Sequence, residues 1–99
     1  DGKIVAAGLS IGNSSFQAML ARHGTNGALD PSFGTGGVVV TALPFQTIPS
    51  GLALQNDGKL VIAGQNSFGG TYDAFVARYN GNGTADASFG GTGHVVNGL

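Results

Sequence analysis

Cysteine and tryptophan are absent from this sequence, so no disulfide can staple it and no thiolate can act as nucleophile or metal ligand. Charge is nearly as scarce: four Lys and Arg stand against five Asp and Glu, the formal net charge is −1, and charged residues make up 9% of the chain where about 25% is usual. With no basic face to neutralise phosphates, neither nucleic acid nor an anionic membrane is an expected partner. No apolar run approaches the roughly 18 residues of a membrane-crossing helix. Helix is disfavoured throughout, because glycine, at 19 of 99 residues, interrupts every window and no sustained 3.6-residue period appears. The glycines follow no Gly-X-Y period and stand between apolar runs, so they read as turn punctuation. So little charge also gives weak protection against association with other copies.

What the chain does have is repetition. "DGKIVAAG" opens it, and "DGKLVIAG" returns at residues 57–64. At that offset of 56, "LARHGTNGALDPSFG" meets "VARYNGNGTADASFG" without a gap, and 19 of the 43 comparable positions are identical. The chain therefore reads as about one and three quarter 56-residue units, the first over residues 1–56 and the rest of the second over 57–99.

Within a unit every signal is β. In "LALQNDGKLVIAG" two apolar runs flank Asn56, Asp57 and Gly58, a hairpin turn signature in which Asp-Gly supplies positive φ. "DAFVARYN" alternates, and a Gly/Asn cluster stops it. The expected strands are 3–9, 16–23, 37–43, 50–55, 59–65, 72–79 and 94–99, four to a complete unit. Along Lys59 to Ala63 one face carries Leu60 and Ile62 and the other Val61 and Ala63, so both faces are apolar and each wants cover. Radially stacked four-stranded sheets supply that cover. The fold expected is all-β, with β-propeller-type blades of four antiparallel strands that need further blades to complete them.

"QNDGKLVIAG", "DAFVARYNGNGTADASFG" and "GTGHVV" resemble the delta-60 repeats of large bacterial proteins, and the resemblance runs over almost the whole chain. It departs at Gly24-Thr25 and at Asn56, where the family usually has Asn-Pro or Pro. The resemblance implies propellers or propeller-like arrays, an extracellular or cell-surface location in bacteria, and no catalytic residues.

The unit that begins at Asp1 lacks the partner that residues 50–55 give the second unit, so one strand position is expected to be vacant. Propellers have about four to eight blades, and two cannot close a ring. The expectation is a non-enzymatic scaffolding module whose partners are further copies of itself or adjacent repeats of a longer chain. Association would use blade faces and a free strand edge, giving a ring or an open fibre.

Arg22 and Arg78 each precede an aspartate, Asp30 and Asp86, by eight residues, which suits an Arg–carboxylate latch across a loop. Phe33 and Phe89, in the recurring Ser-Phe-Gly, are expected to anchor corners between blades. The flanks of Ser32 and Ser88 do not form Gly-x-Ser-x-Gly, and no His–Asp pair recurs beside them. His23 and His94 do not recur either, so no metal and no cofactor is expected. Asn80, Asn82, Thr84 and Asp86 alternate faintly in the manner of a calcium loop, but the first unit has Gly24, Asn26, Ala28 and Asp30 there, and turn chemistry explains them better. Residues 9–17 and 65–73 differ between the units and are expected to be loops. If they bind a glycan or peptide, the residues suited to it are Asn13, Ser15, Asn66 and Tyr72.

Overall fold

The computed structural model describes residues 2–12, 15–41, 46–68 and 71–97. Seven strands are seen among them: β1 (Ile4–Gly12), β2 (Ser15–His23), β3 (Val38–Val40), β4 (Gln46–Leu54), β5 (Leu60–Phe68), β6 (Thr71–Tyr79) and β7 (His94–Asn97). They make two antiparallel sheets, one of three strands in the order β1-β2-β3 and one of four in the order β4-β5-β6-β7. The fold is thus all-β, and the sheets are unclosed partial blades. Among the described residues, β1 pairs with β2 and with no other strand.

Two stretches expected to be loops are mostly strand. β1 runs on to Gly12, which pairs with Ser15, and β5 runs on to Phe68, which pairs with Thr71. Apolar alternation ends before these segments do, but ladder pairing is made by the backbone and continues through polar side chains. β4 likewise begins at Gln46, ahead of its apolar run, and it carries Pro49. Proline is tolerated there because β4 is an edge strand and the register slips between Pro49 and Gly51.

That bulge has a consequence for packing. Thr47 lies opposite Asn66 and Leu52 opposite Ile62, so the extra residue puts an odd and an even position of β4 on one face of the sheet. The same face carries Leu60, Phe75, Ala77 and Tyr79 by register, all buried. Against it lies the face of blade 1 that carries Ala18 and Leu20, also buried, with Val5 and Val39 packed beside them. Among the described residues an apolar core therefore fills the space between the blades, where the two sheets pack face to face.

The offset of 56 turns Ile62 into Ala6, Phe75 into Met19 and Tyr79 into His23, whereas Ala18 and Leu20 become Ala74 and Val76. The two surfaces that meet are thus different faces of the repeat. Blade 1 contributes what is here termed its trailing face and blade 2 its leading face, a head-to-tail stack rather than a symmetric pair.

Candidate functional site

Each unit closes on its aspartate. Asp86 Oδ2 accepts from Lys59 Nζ at 2.7 Å and from Arg78 Nε at 2.8 Å. Its Oδ1 accepts from the Ser88 backbone N–H at 3.1 Å and the Ser88 hydroxyl at 2.6 Å. In blade 1, Asp30 takes Lys3 Nζ at 2.9 Å, Arg22 Nε at 3.0 Å, and the Ser32 N–H and hydroxyl at 3.0 and 2.7 Å. The lysine hydrogen bond above all, then those of the serine, holds both carboxyls well below the usual carboxylate range. Each guanidinium also lies over the corner ring, Arg22 at 4.7 Å from Phe33 and Arg78 at 4.8 Å from Phe89.

This clasp joins three elements: the D-G-K segment that leads into β1 or β5, the end of β2 or β6, and the Ser-Phe-Gly corner. Sequence reasoning brought together Arg22 with Asp30 and Arg78 with Asp86 but missed Lys3 and Lys59. Their signal was available, since both recur in "DGK". What hid it was distance along the chain, because Lys59 meets Asp86 only after β5 and β6 fold back on one another. Asn56, Asp57 and Gly58 lie in the β4–β5 turn. There the Gln55 carbonyl accepts the Gly58 N–H at 3.0 Å, Asp57 Oδ1 accepts the Lys59 N–H at 3.1 Å, and Gly58 takes φ 88°, a value that favours glycine.

The joint between the blades has its own polar ties. The Gly34 N–H donates to the Asn82 carbonyl at 2.8 Å, Arg22 Nη1 to the Gly81 carbonyl at 2.7 Å, and the Ala18 N–H to Thr47 Oγ1 at 2.7 Å. The Thr41 and Tyr79 hydroxyls meet across it, and burial pushes the Tyr79 phenol up. Gly83 sits so close that a Cβ there would lie 2.7 Å from Val39 Cγ2. At the end of the joint a cleft of about 410 Å³ opens between Lys3, Arg22, Leu54, Leu60 and Gly81. Its two cations are the ones held by Asp30.

The joint also separates the two corner rings. Phe33, on the covered trailing face, is fully buried, while Phe89 is half-buried. Asn82 Oδ1 accepts from the Thr84 N–H and hydroxyl, and Asn80 Nδ2 donates to Thr84 Oγ1, so these side chains brace their own loop. Asn66 faces the joint at 2% exposure, with Oδ1 unpaired, and is not at an accessible tip. Asn13 lies outside the described residues, as do the side chains of Ser15 and Tyr72.

No curated protein and no solved structure matches the chain. A family model does: the DUF5122 beta-propeller, a domain of unknown function, matches residues 1–33 and 55–89. The match takes in both D-G-K sequences, both Arg–Asp pairs and both corner phenylalanines, more than half of the chain, which belongs to the DUF5122 β-propeller family.

Proposed function

We propose that this chain is a non-enzymatic scaffolding module whose biochemical act is to add blades to a propeller-type assembly. One observation carries the reading. Leucine and isoleucine positions that are buried in the blade joint have repeat counterparts that stand at the surface: Leu60 is buried and Ile4 is 62% exposed, Ile62 is buried and Ala6 exposed. Apolar surface of that kind is covered favourably by more of the same repeat, at roughly 25 cal/mol per Å². We read the unit as a delta-60 repeat, of the kind that long secreted and surface-associated bacterial proteins carry.

Size-exclusion chromatography with light scattering tests the reading. The expected mass at tens of micromolar is that of several chains, and the mass of one folded chain under those conditions would overturn it. Because a head-to-tail contact closes into a ring only if its rotation divides the circle, negative-stain images distinguish a ring from a fibre.

A further inference from the structure

The clasp arginines differ in one arm. Arg22 uses Nε on Asp30, Nη2 on Ser32 and Nη1 on the Gly81 carbonyl of the neighbouring blade. Arg78 uses Nε on Asp86 and Nη2 on Ser88, and among the described residues its Nη1 has no acceptor. The Gly34 N–H reaches Asn82 across the joint, whereas its counterpart, the Gly90 N–H, has no protein acceptor among those residues. The missing acceptors are present on the other outer face. Shifted by 56, the Gly81 and Asn82 carbonyls become those of Thr25 and Asn26, which accept no hydrogen bond from the described residues and lie exposed. Gly27, the counterpart of the close-packed Gly83, likewise has nothing within 4 Å of the place its Cβ would take.

Resting on the reading above, we propose that the partner is a second copy of this chain, docked so that the trailing face of blade 2 covers the leading face of blade 1 in the internal register. Arg78 Nη1 then donates to the Thr25 carbonyl and the Gly90 N–H to the Asn26 carbonyl of the second copy. Val76 and Ala74 take the places that Leu20 and Ala18 hold inside the chain, over Ala6 and Met19. The contact is heterologous, so a docked pair still presents one free face of each kind at its two ends.

Two blocked variants test it. Ala6→Glu puts a charge on the leading face of blade 1, and Val76→Glu on the trailing face of blade 2, leaving the internal joint untouched. Each alone runs as a single chain by light scattering, and an equimolar mixture gives a two-chain species that grows no further, because the one good leading face meets the one good trailing face. In the wild-type assembly, amide exchange read residue by residue slows at Gly90 by about tenfold or more relative to the dissociated chain, while Gly34 is protected in both. A wild type that runs as one chain sinks the scaffolding reading and this contact with it. A wild type that assembles, while either variant still self-pairs or the mixture stays unpaired, overturns this contact alone. If the variants do not fold, unprotected Gly90 in the wild-type assembly overturns it.

Discussion

Gly64 and Gly8 occupy the same place in the repeat, yet replacing them with alanine should move stability in opposite directions. A Cβ on Gly64 would lie 2.8 Å from Pro49 Cα and 2.9 Å from the Ile48 carbonyl carbon, and would also strike the Ile48 carbonyl oxygen. Carbon atoms pack best at about 3.5–4.0 Å, so the overlap approaches 1 Å, and it falls on backbone at a bulge rather than on a side chain that can swing away. Overpacking of this kind costs about 1–3 kcal/mol, partly offset by the roughly 0.4–1 kcal/mol that alanine gains by restricting the unfolded chain. The net expectation for Gly64→Ala is a loss of about 1 kcal/mol. At Gly8 a Cβ meets nothing within 4 Å, since among the described residues no strand pairs with β1 on that edge, and only the entropic gain of about 0.4–1 kcal/mol remains. The entropic gain is common to both, so the two variants should differ by the overpacking cost, about 2 kcal/mol, in urea unfolding followed by circular dichroism, with unchanged slopes. At about 4–8 °C per kcal/mol for a domain of this size, melting should separate them by about ten degrees. Equal shifts, or the reverse order, would refute the claim that the bulged strand β4 is what distinguishes blade 2 from blade 1.

Leu20→Ala should cost about 2–5 kcal/mol, because its side chain is 1% exposed within the joint, while Val76→Ala, half-buried at the matching position, should cost clearly less in the dissociated chain by the same denaturation. Thr47→Val keeps the shape but leaves the buried Ala18 N–H without its acceptor, a loss of about 1–3 kcal/mol that Thr47→Ser should largely restore. Asp30 and Asp86 titrate below their unfolded values, so the stability they contribute is complete above about pH 4 and is lost as pH falls toward the folded-state value. Asp86→Asn should accordingly lower the urea midpoint at neutral pH and flatten its decline in acid.

The repeat period, the β class and the D-G-K turn were all legible because each is written in local chemistry: a spacing, an alternation, a glycine. The strand ends were less so, since Ser10, Asn66 and Ser67 pair through the backbone whatever their side chains carry. Lys3 and Lys59 escaped because the residue they meet lies 27 positions away, and no periodicity links a hairpin turn to a corner beyond two strands.

The deepest limit concerns the faces. Val61 and Ile62 are adjacent and equally apolar, so the sequence shows that both sides of a blade need cover without showing which side of one unit meets which side of the next. That question is decided by residues with no apolar signature at all. The Asn82 carbonyl reaches the Gly34 N–H, and the Gly81 carbonyl reaches Arg22, only if the trailing face of blade 1 receives the leading face of blade 2. A symmetric pairing of two trailing faces would bring Gly34 toward Gly90 and Arg22 toward Arg78, donor against donor and cation against cation. Hydrophobic burial makes the blades stack, and the sparse polar groups at the loop ends give the stack its direction.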